Sequence, residues 1–101
     1  MEFGEVLREL RAREGVGIKR LAPQLGVTYT YLSKLESNQV RPSEQLVERV
    51  ARYFNYDRDQ LLLTADKVPD DIRQILRDNP EDAMNYLRER FGRRHDNRPQ
   101  P

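Results

Sequence analysis

The chain has 101 residues, a formal net charge of +1 and 35% charged residues. That length suits one domain with a helical core and is short for a monomeric enzyme with a deep cleft. Cysteine is absent and the single His95 stands in a polar tail, which argues against disulfides, thiolate chemistry, zinc and haem, and leaves no cofactor to expect.

No apolar run approaches the roughly 20 residues of a membrane span, and the acidic start MEFGEV is unlike a signal peptide. The expected location is therefore the cytoplasm, away from any membrane. Charge is unevenly spread: residues 1–41 carry seven Lys or Arg against five Asp or Glu, residues 42–92 eight against eleven, and residues 93–101 three against one. Lys19, Arg20, Lys34 and Arg41, set against Glu36 alone, make the stretch from Ile18 to Arg41 locally basic.

A first helix is expected over about Glu2 to Arg13, with Phe3, Val6, Leu7 and Leu10 on one stripe, acids favouring its start and Gly15 ending it. Arg8 and Arg13 could touch phosphate or keep the surface soluble, and the solubilising role is the one favoured. Gly17 starts a second helix with Ile18, Leu21, Ala22 and Leu25 on its inner face, and Gly26 stops it in the left-handed conformation. Pro23 has no N–H to give the carbonyl of Lys19, so a kink or a missing bond is expected there. Thr28 can cap a third helix at once, with Leu32 and Leu35 turned inward. Two amphipathic helices joined by about three residues must cross steeply, and Ala22 is small where they converge. This is the pattern of a helix-turn-helix.

At about 100° per residue, Tyr29, Thr30, Ser33, Lys34 and Ser37 share the outer arc of that third helix. A helix face that merely meets solvent usually carries Glu and Lys pairs. Hydroxyls, a tyrosine and one lysine instead suit the donor and acceptor edges of bases in a major groove. Tyr31 falls on the inner side, where it should pack against the second helix while its hydroxyl reaches toward a phosphate.

After a polar turn at Ser37 to Arg41, Ser43 caps a fourth helix with Leu46, Val47, Val50, Ala51 and Phe54 on one stripe. Asp57 and Gln60 have capping-box spacing ahead of a short fifth helix at Leu61 to Leu63. Pro69 opens a sixth helix lined by Ile72, Ile75 and Leu76, and Asn79 with Pro80 restarts the chain into a seventh, lined by Ala83, Met84, Leu87 and Phe91 and ended by Gly92. The adjacent acids Asp70 with Asp71 and Glu81 with Asp82 diverge by about 100° and stand where helix starts favour acids, so they do not read as catalytic pairs. The tail RRHDNRPQP is expected to be disordered. The reading is an all-α chain with a DNA-binding unit at 1–64, a helical dimerisation or interaction segment at 65–92 and a tail at 93–101.

Leu21-Ala22, Gly26-Val27, Tyr31-Leu32-Ser33, Leu35-Glu36 and Pro42-Ser43, at their present spacings, resemble the Xre family of phage-repressor-like helix-turn-helix regulators over roughly residues 4 to 63. The resemblance implies a five-helix repressor-like domain, followed here by a two-helix hairpin, whose third helix enters the major groove of double-stranded DNA from a symmetric dimer. It implies base contacts from Tyr29, Thr30 and Lys34 and phosphate contacts from Thr28, Ser33, Asn38 and Arg41, to which the basic Lys19 and the Tyr31 hydroxyl are added. It also implies a pair between Arg11 and Glu36 that orients a side chain toward the DNA backbone; the residues read equally as a partly buried ion pair locking the first helix to the third, and the two roles are compatible. Pro23 and Tyr29 depart from the usual pattern of that family.

The function expected is a sequence-specific transcriptional regulator, most simply a repressor, acting as a homodimer on a pseudo-palindromic operator. Ile72, Ile75, Leu76, Met84, Leu87 and Phe91 would form the interface with a second copy. The alternative is an antitoxin-like or anti-regulator module, in which those same helices bind another protein and DNA binding is subsidiary. No enzymatic activity is expected, because no nucleophile and base can be paired.

Overall fold

In the computed structural model, which describes residues 1–92, the chain divides into two compact units, Met1–Val68 and a second that begins at Pro69. The tail expected at 93–101, with His95, lies outside the described residues. Among those residues all regular structure is helical, in the order α1 (Phe3–Glu14), α2 (Ile18–Gln24), α3 (Tyr29–Glu36), α4 (Glu44–Phe54), α5 (Arg58–Thr64), α6 (Asp70–Asp78) and α7 (Pro80–Phe91).

The first five helices enclose one core. Phe3, Val6, Leu7 and Leu10 of α1 meet Leu21, Ala22 and Leu25 around α2, Leu32 and Leu35 of α3, Leu46, Val47, Val50 and Ala51 of α4, and Leu61 and Leu62 of α5. These are the residues that recur every three or four positions, so each helix hides one stripe and leaves the rest to water. Helix α1 packs on α3 and α5, α2 on α3, and α4 on α5. Starts are fixed by side chains: the hydroxyls of Thr28 and Ser43 accept the N–H groups of Tyr31 and Leu46, each at 3.1 Å. Of the capping box expected at α5 only half forms, with Asp57 accepting the N–H of Gln60 at 3.0 Å.

All five of these helices stop in the same way. A residue with positive φ, namely Gly15, Gly26, Asn38, Asn55 or Asp66, turns the chain, and the next N–H reaches back to a carbonyl in the last turn. The long-range bonds run from Val16 to Arg11, Val27 to Ala22, Gln39 to Lys34, Tyr56 to Ala51 and Lys67 to Leu62. This is the Schellman arrangement, which satisfies carbonyls that the end of a helix leaves unpaired. Because α5 closes through Lys67, the first unit extends past the expected boundary at residue 64 to Val68.

Helix α2 runs through Pro23 to Gln24. The proline sits in the final turn, where its missing N–H removes one bond, and its carbonyl accepts the N–H of Gly26 at 3.1 Å.

In the second unit α6 and α7 pack on each other across a break at Asn79. Ile72, Ile75, Met84, Leu87 and Phe91 remain exposed, Phe91 to 71%, whereas Leu76 and Ala83 are partly covered. No described helix is long and apolar enough to cross a membrane.

Candidate nucleic-acid interface

The elbow between α2 and α3 is built from four residues, Leu25 to Thr28. Leu25 is buried, Gly26 takes φ +73° so that the chain can reverse, Val27 packs against the core, and Thr28 caps α3. Arg49 of α4 adds a support that the local sequence does not announce: its Nη1 donates to the carbonyl of Leu25 at 3.1 Å. The elbow is thus held from inside by apolar packing and from the side by a guanidinium.

Helix α3 is anchored at its far end by a buried carboxylate. Glu36 is only 5% exposed, and Arg11 of α1 meets it with two donors, Nε to Oε2 at 2.6 Å and Nη2 to Oε1 at 2.9 Å. The remaining Nη1 of Arg11 donates to the carbonyl of Val16 at 3.1 Å, so one side chain ties α1, the start of α2 and α3 together. The hydrogen bond to Glu36 raises the pKa of Arg11 above its ordinary value, more than burial lowers it, and the guanidinium stays charged. A planar fork suits this task better than a lysine would, since both carboxylate oxygens are engaged.

The anchor also draws on Arg8 and Gly4, which the sequence leaves unmarked, and on Asn38, expected at the turn and now found to bond to Gly4. Arg8, read as a solubilising charge, donates from Nη2 to the main-chain carbonyl of Glu36 at 3.1 Å and places Nε 3.8 Å from Oε1. It therefore completes the end of α3 while most of its side chain remains in solvent. Gly4 sits so close to α3 that a Cβ there would lie 2.5 Å from the carbonyl oxygen of Leu35 and 2.6 Å from that of Glu36. Its N–H donates to Oδ1 of Asn38 at 3.1 Å, so Asn38 both ends α3 and clamps it to the first turn of α1.

The outer face of α3 is left free. Tyr29 (52% exposed), Thr30, Ser33, Lys34 and Ser37 all face solvent, and Tyr31 is half-buried against the core. Ser37 donates to the carbonyl of Lys34 at 3.2 Å and accepts from Gln39 at 2.8 Å. Lys19 and Thr28 are exposed beside the N-terminus of α3, and Lys19 Nζ lies 5.3 Å from the centroid of the Tyr29 ring. Arg41, 81% exposed, is 3.7 Å from Asp66, an ion pair of little strength in water. Lys19, Thr28, Tyr29, Thr30, Ser33, Lys34 and Arg41 thus offer hydroxyls and cations on exposed positions of one rigid unit, and Asn38 keeps its amide donors. Among the described residues no group of three or more His, Cys, Asp or Glu is placed to hold a metal.

The arrangement has relatives. The HTH-type transcriptional activator BcrR of Enterococcus faecalis is 36% identical over 62 residues, which make up 61% of this chain and 30% of BcrR. The chain therefore spans less than a third of that relative's length. The crystal structure of the clp gene regulator ClgR from Corynebacterium glutamicum superposes with a TM-score of 0.56 at 26% identity, covering 90% of this chain and 92% of that one. A family model described as a helix-turn-helix domain matches residues 2–63. That span holds the capped elbow at Gly26 and all of the Glu36 anchor and is well over half of the sequence: the chain belongs to the helix-turn-helix domain family.

Proposed function

We propose that the chain is a sequence-specific transcriptional regulator of the Xre type that binds double-stranded DNA with α3 in the major groove. The observation that carries this reading is the combination of a helix face rich in hydroxyls, with one lysine and no carboxylate, and a frame that fixes that face at both ends. Tyr29, Thr30 and Lys34 contact base edges, while Lys19, Thr28, Tyr31, Ser33, Asn38 and Arg41 contact phosphates and set the register. The Arg11 and Glu36 pair positions them. Two copies read a pseudo-palindrome with half-site centres about 34 Å apart, or a multiple of that. Ile72, Ile75, Leu76, Met84, Leu87 and Phe91 join the copies, which covers apolar surface that the single chain leaves in water. Occupying a promoter needs no further surface, so repression is the simplest outcome; this reading involves no enzymatic step and places the protein in the cytoplasm.

Binding to a duplex selected from a randomised pool, titrated against salt, tests the proposal. Lys19 and Arg41 give four phosphate-directed cations per dimer, and affinity should fall about 10²-fold between 50 and 200 mM salt. A flat response would overturn it.

The same exposed residues of α6 and α7 favour a second reading, an antitoxin-like or anti-regulator module whose hairpin docks on another protein. Sedimentation of the purified chain separates the two. A dimer supports self-association, and a monomer supports the foreign partner.

A further inference from the structure

Lys19 has no carboxylate partner among the described residues, and the Tyr29 hydroxyl has no hydrogen-bond partner among them. The two meet instead: Lys19, in the first turn of α2, sets its ammonium 5.3 Å from the centroid of the Tyr29 ring at the first position of α3. That distance is within the range in which a cation is drawn to the negative face of an aromatic ring. Lys19 is exposed and Tyr29 is 52% exposed, and the ammonium is the polar tie found on the tyrosine side chain among the described residues.

Resting on the DNA-binding reading above, we propose that Lys19 is a positioning residue for Tyr29, and that the pair reads a base edge presenting a hydrogen-bond acceptor. An exposed tyrosine loses side-chain freedom when it binds, and a ring already held by a neighbour loses less. The ammonium also decides which partner the phenol takes. A positive charge over the ring repels a donor approaching the phenolic oxygen and favours the hydroxyl as donor. The matching edges in the major groove are N7 and O6 of guanine, N7 of adenine and O4 of thymine, and the amino group of cytosine is disfavoured. Lys19 thereby contributes to sequence preference as well as to phosphate attraction.

The test uses the full chain and a pool of randomised duplexes, with selection and sequencing for the parent, Lys19→Gln, Lys19→Arg and Tyr29→Leu. One operator position should lose its preference for acceptor-bearing bases in both Lys19→Gln and Tyr29→Leu, by about two- to fivefold in relative affinity, and keep it in Lys19→Arg, whose guanidinium can also stack. Without DNA, the ε-methylene protons of Lys19 should be shifted upfield by the ring and return to ordinary values in Tyr29→Leu. Unshifted protons in the parent, or a Lys19→Gln pool with unchanged preference and uniformly weaker binding, would overturn the positioning role and leave the regulator reading intact. A parent that enriches no sequence would overturn the regulator reading and this inference with it.

Discussion

Two glycines show how differently the same residue type is used. At Gly15 the backbone has φ +66° and a Cβ would meet nothing within 4 Å, so Gly15→Ala should cost only the left-handed penalty, about 1 kcal/mol. At Gly4 the backbone is helical, but a Cβ would press into two main-chain carbonyls of α3 that cannot swing aside. Gly4→Ala should therefore cost about 3 kcal/mol by overpacking and should also disturb α3. Chemical denaturation of the two variants checks the order, and a Gly15→Ala loss as large as that of Gly4→Ala would refute it. Sequence alone discloses the first case and hides the second. Gly15 follows the last apolar residue of a helical stripe, which is a local signal, whereas the demand on Gly4 comes from Leu35 and Glu36, more than thirty residues away. Arg8 was opaque for the same reason: its value lies in a carbonyl that only the folded chain brings near.

At the scale of elements, most of what forms was legible because starts and stops are local chemistry. Thr28, Ser43 and Asp57 each precede a helix and do accept an N–H from its first turn. The end of α5 at Thr64 agrees with the expected close near residue 64, but its stop carries no local mark, since Asp66 occupies the left-handed position that glycine or asparagine usually takes. Thr28 combines the two kinds of role. Its oxygen is taken up in capping α3, while its hydroxyl hydrogen remains available for a phosphate. Thr28→Ala should lower stability by about 1 kcal/mol and weaken DNA binding, and Thr28→Ser should restore most of both. Melting curves beside binding isotherms decide this, and a Thr28→Ser variant no better than Thr28→Ala would argue against the hydroxyl as the active group. Pro23 is milder than its helix-breaking reputation suggests, because α2 ends one residue later and only a single bond is lost.

Over the whole molecule, the two units differ in what they hide. The first buries a continuous set of leucines and valines from five helices and has the size of an independently folding domain. The second leaves the apolar residues of α6 and α7 largely in water, and helices of this length are marginal without a partner surface. A chain ending at Val68 should therefore still melt cooperatively; under the proposed dimer through α6 and α7 it should also sediment as a monomer and bind a two-fold DNA site at least about tenfold more weakly, since the second reader would no longer be tethered to the first. Undiminished affinity in the shortened chain would place the dimer contact within residues 1–68. Apolar stripes on α6 and α7 could be read from periodicity, but what covers them could not, because a stripe facing another molecule and a stripe facing the same chain have one spelling.

The anchoring of α3 from behind has an evolutionary corollary. Tyr29, Thr30, Ser33 and Lys34 contribute no side chain to the core, and the supports at Leu25, Glu36 and Asn38 lie outside that set. Exchanging those four side chains for other polar ones leaves the contacts at Leu25, Glu36 and Asn38 in place, so on the proposed function new operator preferences can arise by drift or design on an unchanged chassis.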